Sequence, residues 1–374
     1  MQFTAMNFTC PSCGAPLKFS PAKGRLLCEF CHKEVPIAQA DIPIKEHSLS
    51  LALQTLDQIP NRIIEKKVHC KKCGGEFILT PYAFSSNCPY CGTPAITDFI
   101  KEITPQSLIP FRISRKEAQK RFKTWIGSLW FAPSAFNKYF DKETHLTGYY
   151  LPYWTYDSDT LTDYQGERGE IYYVTVTKTV TDAQGRKQQV EVKESRIQWT
   201  PVNGKVSLSF DDITVGASNT VTRTILQALE PWNTTALVPF DEKYLVGFEA
   251  EEYAVGLDNG FEYAKVKMQH RIESAIHRDI GGDRQRITTT NTHYFHTTYK
   301  NILLPVWIAS FEWKNKHYHY AINAQSGKVS GERPYSIVKI LFAVLFAVLL
   351  IGGIMFYLNE HPQLLAQLKL FLQQ

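Results

Sequence analysis

The chain has 374 residues, of which 44 % are hydrophobic and 21 % charged, and its net charge is +5. That length accommodates two or three domains with ample core, and the composition excludes a disordered polymer. So mild a charge does not mark a dedicated nucleic-acid reader, which carries a basic stripe.

All eight cysteines fall near the N-terminus. They read Cys10-Pro-Ser-Cys13, Cys28-Glu-Phe-Cys31, Cys70-Lys-Lys-Cys73 and Cys88-Pro-Tyr-Cys91. Fourteen residues separate each CxxC pair from its mate, and the pattern repeats after sixty. This spacing predicts two four-cysteine zinc ribbons, because a CxxC turn brings two thiolates to one tetrahedral ion and a short hairpin brings two more. Gly14, Gly74 and Gly92 follow a second cysteine, where a knuckle favours positive φ. The alternative of four disulfides fits poorly, since no signal peptide leads the chain toward an oxidising compartment. Four thiolates leave no open coordination position, so the two expected Zn2+ ions are structural. Each ion is held either by four consecutive cysteines or by pairs exchanged between ribbons; the consecutive set closes the shorter loops.

Ribbon one is expected over residues 1–36, with strands near 17–19 and 25–28. A connector over 37–65 carries a short helix capped by Ser48, with Leu49, Leu53 and Leu56 at helical spacing, expected to pack between ribbons or onto a partner. Ribbon two covers 66–98. Lys66, Lys67, Lys71 and Lys72 make a local basic cluster there, although residues 1–100 hold ten Lys or Arg against eight Asp or Glu.

A mixed α+β cytosolic domain follows over 99–335. Ser114-Arg-Lys-Glu117 is a capping box, and the next helix places Ala118, Phe122, Trp125 and Leu129 on one face. Residues 172–180 and 189–199 alternate as two strands about a turn at 182–185, with Val174, Val176 and Val180 opposite Thr175, Thr177 and Thr179. A short helix over 224–229 and a longer one from Asp258 or Asn259 to about Ile280 come next; Gly281-Gly282 stops the latter. Three strands are then expected, over 287–299, 302–313 and 317–323, and a turn at 324–327 leads to a last short strand. Leu108-Ile-Pro-Phe111 and Leu151-Pro-Tyr-Trp154 are echoed by Leu237-Val-Pro-Phe240 and Leu304-Pro-Val-Trp307, which suggests a duplication with units 108–215 and 219–331.

Residues 340–358 hold nineteen apolar or uncharged residues in a row, enough for one membrane-spanning helix. Lys328, Arg333 and Lys339 precede it and only Lys369 follows, so the positive-inside rule puts the N-terminus in the cytosol of a single-pass inner-membrane protein. Residues 359–374 form a short amphipathic tail.

The chain carries no GxxxxGK[ST], HExxH or GxSxG motif. His293, His296, His317 and His319 lie close enough in sequence to suggest a metal or catalytic cluster, but neighbouring Tyr318 and Tyr320 favour packing roles. Asp157/Asp159 and Asp211-Asp212 could form an acidic site, or serve turns. The expectation is therefore a protein that is not an enzyme.

The paired ribbons, the LPYW and LPVW motifs, Asp279-Ile-Gly-Gly-Asp283 and the C-terminal span together resemble a family of bacterial double-zinc-ribbon membrane proteins, over essentially the whole chain. Members are often labelled as a primosomal replication helicase, a label this sequence does not support because it lacks the phosphate loop. The resemblance implies a setting among phage-shock-protein-A-like and SPFH membrane scaffolds, and only the eight cysteines carry over as site residues. The expected function is a membrane-anchored, cytosol-facing adaptor that recruits protein partners, with envelope stress as the setting the resemblance implies. The alternative is a membrane-tethered nucleic-acid binder using Lys66, Lys67, Lys71 and Lys72.

Overall fold

The computed structural model describes residues 2–4, 8–38, 43–56, 66–69, 76–79, 83–87, 94–96, 104–133, 146–181, 187–313 and 316–360. It is a mixed α+β structure with a cysteine cluster near its N-terminus and an apolar helix at its C-terminal end.

At the N-terminus, β1 (Gln2–Thr4) is followed by β2 (Leu17–Ser20), β3 (Arg25–Cys28) and β4 (Glu34–Val35). The last three form an antiparallel sheet. Leu17, Phe19 and Leu26 are buried against the rest of the molecule. Phe19 meets Tyr244 edge-on at 5.3 Å, and its amide donates to the Val246 carbonyl at 2.9 Å. Burying one phenylalanine stabilises by about 1.5–3 kcal/mol, so this cysteine-bearing sheet is fixed to the body.

Next come β5 (His47–Ser48), α1 (Leu49–Leu56), β6 (Lys66–His69), β7 (Glu76–Leu79), β8 (Ala83–Asn87) and β9 (Pro94–Ile96). The short helix packs on the body, and not between ribbons: Leu49 is buried in a core shared with Trp154 and Met268, with Ala52 and Leu53 against it. Strands also cross the boundaries drawn at 36, 66 and 98. β1 pairs in parallel with β6, which pairs antiparallel with β7, and β8 joins the large sheet.

The body comprises β10 (Ser107–Leu108), α2 (Arg115–Ser128), β11 (Thr147–Thr181), β12 (Lys187–Gly216), α3 (Arg223–Ala228), β13 (Val238–Pro239), β14 (Glu249–Glu251), α4 (Leu257–Ile280), β15 (Arg284–Trp313), β16 (Lys316–Asn323), β17 (Val329–Gly331) and α5 (Ile337–Glu360). Its sheet runs in the order β13-β10-β15-β11-β14-β8-β9, with β12 on β11 and β16 on β15. β11 and β12 are far longer than the strands expected at 172–180 and 189–199. β15 spans without a break the two strands expected at 287–299 and 302–313.

The serine half of the capping box forms, with Ser114 Oγ accepting from the Glu117 amide while the Glu117 carboxylate turns to Arg121, and α2 buries Ala118, Phe122 and Ile126. α4 buries Ala264, Met268, Ile272 and Ile276 at helical spacing and ends at Gly281, whose φ is +66°. Residues 302–309 of β15 are all buried, the mark of a strand covered on both faces. Leu303, Trp307 and Ala309 face the core of α2 and the cysteine-bearing sheet, while Ile302, Leu304, Val306 and Ile308 face α3. At the tip of the long hairpin, Val174 and Val176 are half-buried while Thr175, Thr177 and Thr179 are exposed; the turn at 182–185 lies outside the described residues.

The repeated motifs meet inside this sheet. Leu151 pairs with Leu304 across β11 and β15, and Leu108 with Val238 across β10 and β13. The segments 108–215 and 219–331 thus interleave strands in one sheet and do not form two separate bodies. The tail from residue 361 lies outside the described residues.

Candidate metal centre

The four sulfur atoms of Cys10, Cys13, Cys28 and Cys31 lie within 4.8 Å of one another, and all four cysteines are unbridged. Two matching turns bring them there. In one, the Gly14 amide donates to the Cys10 carbonyl (2.9 Å) and the Cys10 amide to the Ala15 carbonyl (2.7 Å). In the other, the His32 amide donates to the Cys28 carbonyl and the Cys28 amide to the Lys33 carbonyl, both at 3.0 Å. Gly14 and His32 occupy equivalent left-handed positions, with φ of +70° and +58°. The glycine expected after the second cysteine is thus replaced by histidine in the second knuckle.

The donor set fits zinc. A Zn–S bond of about 2.3 Å implies an edge of about 3.8 Å in a thiolate tetrahedron, and Cys10–Cys31 and Cys13–Cys28 each stand 3.5 Å apart. Burial pushes the Cys10 thiol up, but the Ser12 and Cys13 amides and the neighbouring thiols outweigh it and bring it down to about 6. On Cys13 the Ala15 amide acts downward, and the Cys31 and Cys28 thiols outweigh it, pushing it to about 12. Thiols this close cannot all ionise without a cation among them. Cys10 and Cys28 are buried in the main core while Cys13 and Cys31 are exposed. The four consecutive cysteines are thus the set that is brought together, in a cluster compatible with one zinc ion.

Cys70, Cys73, Cys88 and Cys91, and with them Lys71 and Lys72, lie outside the described residues. Lys66 and Lys67 sit on β6, between β1 and β7. The histidines do not assemble. His319 pairs with Ser310 on β15, fourteen residues beyond His296 on the same strand, a separation on the order of 40 Å at strand rise. His293 is held by Asn291 (3.4 Å) and His296 by Asp159 (3.2 Å), both on the surface. His317 pairs with Glu312, farther still along β15.

The acidic residues do come together, around a cation that the sequence did not disclose. The pairing of β11 with β12 and β15 slips at Asp157, and Asp212 and His296 take positive φ there (both +49°). Such bulges re-aim side chains. Lys300, whose side chain is only 8 % exposed, lies 2.8 Å from Asp212, 3.1 Å from Glu46 and 3.6 Å from Asp157. Burial opposes the Lys300 charge, but the Asp212 hydrogen bond and the Asp157 carboxylate outweigh it and hold the ammonium above its ordinary range. Burial raises Asp157 to about 6, against the Asp212 amide and Lys300, with Glu46 and Asp212 adding repulsion. Asp157, Asp211 and Asp212 gather as metal ligands would, but Lys300 already places a positive charge against Asp157 and Asp212. Glu46 on the lead-in to β5 is a long way in sequence from β15, and in the sequence Lys300-Asn301 reads as a break between strands, so nothing there pointed to this site.

No protein-family model matches the chain, and no solved structure matches it. A curated relative, "Uncharacterized protein YdjG" from Bacillus subtilis (strain 168), is 28 % identical over 341 residues, covering 90 % of this chain and 92 % of the relative. The likeness therefore extends over most of the length of both chains.

Proposed function

We propose that the chain is a membrane-anchored adaptor whose zinc ribbons face the cytosol and recruit protein partners to the inner membrane. The observation that carries this reading is the joining, on one body, of a four-cysteine cluster and a helix of which no part is buried. A tetrahedron of thiolates has no position left for substrate. An unburied helix with mean hydropathy 2.8 is long and apolar enough to cross a bilayer. The second ribbon holds a second structural zinc through Cys70, Cys73, Cys88 and Cys91. Lys328, Arg333 and Lys339 before the span keep the body cytosolic.

Recruitment uses the outward side of the knuckles. Phe30 stands between Cys28 and Cys31 and is 73 % exposed, an apolar tip on a rigid metal turn. The resemblance to double-zinc-ribbon membrane proteins makes phage-shock-protein-A-like or SPFH scaffolds the partners, in an envelope-stress setting. The test is affinity purification of the gently solubilised full-length chain, with and without nuclease, read by mass spectrometry. The expected result is a membrane scaffold in both arms, lost in Phe30→Ala with zinc content unchanged, and lost in Cys70→Ser/Cys73→Ser. Partners that vanish with nuclease would instead make the chain a nucleic-acid binder through the Lys66–Lys72 cluster.

A further inference from the structure

The loop that ends α2 is built onto the first turn of α5. The Ser336 amide donates to the Phe131 carbonyl at 2.7 Å. Lys339 Nζ donates to the carbonyls of Trp130 (3.1 Å) and Ala132 (2.8 Å). These bonds hold the loop at the level where the apolar helix begins, yet its rings are left open. Trp130 is 77 % exposed and stacks on exposed Phe131 at 5.8 Å, and Tyr335 beside them is also exposed.

Two grooves flank this aromatic corner and share Tyr335. One, of about 390 Å³, is apolar and runs along α5 between Phe131, Ile340 and Val344. The other, of about 590 Å³, is polar and lies between Trp125, Lys316, Arg333 and Tyr335. Its carboxylate, Glu332, accepts from the His319 amide at 3.3 Å. The adjoining helix α2 adds Arg115, Lys116, Lys120, Arg121 and Lys123 against Glu117. An apolar slot continuous with a basic, aromatic-rimmed slot has the two-part chemistry of a phospholipid: acyl chain against the helix, phosphate between lysine and arginine. Aromatic rings with apolar bodies and polar tips settle at that same boundary.

We propose that this corner rests on the membrane, with Trp130 and Phe131 in the headgroup–acyl boundary and the Lys316–Arg333 groove holding the headgroup of an anionic phospholipid. The proposal rests on the reading of α5 as a membrane anchor. It adds that the body is seated against the bilayer, and not merely tethered to it.

The test uses the full-length protein in vesicles of zwitterionic phosphatidylcholine alone or mixed with phosphatidylglycerol, each containing shallow-brominated lipid that quenches tryptophan. α5 contains no tryptophan, so the anchor itself adds no signal. Quenching should be strong in the anionic vesicles, weak in the zwitterionic ones, and largely lost in Trp130→Ser. A basic side chain near an anionic surface strengthens contact about fivefold, so Lys316→Glu and Arg333→Glu should each bring the anionic vesicles down toward the zwitterionic level. Glycerol phosphate in solution should not compete; competition would make the groove a site for free phosphate and overturn the lipid assignment. Alkaline carbonate extraction separates the two failures. A protein that stays in the membrane but shows no Trp130-dependent quenching refutes the seating alone, whereas release by carbonate refutes the anchor and the seating with it.

Discussion

Two clusters in this molecule concentrate groups that ionise to negative charge, and they differ in where the balancing cation comes from. Cys10, Cys13, Cys28 and Cys31 converge with their four sulfur atoms within 4.8 Å of one another. Asp157, Asp212 and Glu46 converge on Lys300, which the chain supplies from β15. The first arrangement is compatible with one zinc ion from outside the chain, whereas the second already holds an ammonium of its own. Local spacing follows the same division. The cysteines are gathered by two turns and one hairpin, whereas the carboxylates come from β11, β12 and the segment before β5, far apart in sequence, with bulges beside the two aspartates.

Cys28→Ser tests the first half of that contrast and should have the largest effect. A structural zinc contributes about 10–16 kcal/mol to small zinc-dependent folds at pH 7, and Cys28 is fully buried in the core that joins the ribbon to the body. Metal analysis should find one zinc fewer per chain, and thermal unfolding should begin at a much lower temperature. Unchanged zinc content would break the contrast.

Lys300→Met tests the other half. Removing one partner from a buried charge cluster costs about 3–5 kcal/mol, which chemical denaturation would read. The variant should also become responsive to millimolar Mn2+, because Asp157, Asp211 and Asp212 then lack their internal cation; wild type should show no such response. A variant as stable as wild type would show that the carboxylates do not depend on Lys300.

The smallest effect belongs to Asp157→Asn. Asp157 is raised in the folded state from an ordinary 3.8 to about 6. Its contribution to stability is present below pH 3.8 and is lost as pH rises through 6, because its charged form is disfavoured in the fold. The stability difference between variant and wild type should therefore move in the variant's favour between pH 4 and pH 7, by about 1–2 kcal/mol. A difference independent of pH would mean that Asp157 titrates normally.

What the sequence disclosed follows from how far apart the cooperating residues are. The first ribbon's strands, the Ser114 cap, the inward face of α4 and the apolar α5 were legible because each is set by neighbours within a turn or a hairpin. The continuity of β15 was not. Lys300-Asn301 reads as a polar break between two apolar strands, but both residues are buried, 6 % exposed each. The charge that interrupts the hydrophobic pattern is there for Asp157, Asp212 and Glu46, none of which is near it in sequence. The repeated motifs are related through the same sheet: LPYW and LPVW, expected each to enter a strand of its own unit, run antiparallel and meet at Leu151 and Leu304. Lys300 needed the register of three strands before its role could be seen.

The position of β15 also sets a timetable for the chain. It lies between β10 and β11, both made much earlier, and it is the strand on which β5 and β16 also lean. Until Ile302 and Leu303 have left the ribosome, β10 and β11 have no strand to join them, and the sheet stays open through its middle. Trp313 ends β15 and Ile337 begins the apolar helix only a short stretch later. Domains in general fold during synthesis as their residues emerge, but here the decisive strand and the hydrophobic helix arrive almost together. A translating ribosome would thus release the apolar helix soon after the strand that closes the sheet, so closure of the body and emergence of that helix fall close together in time.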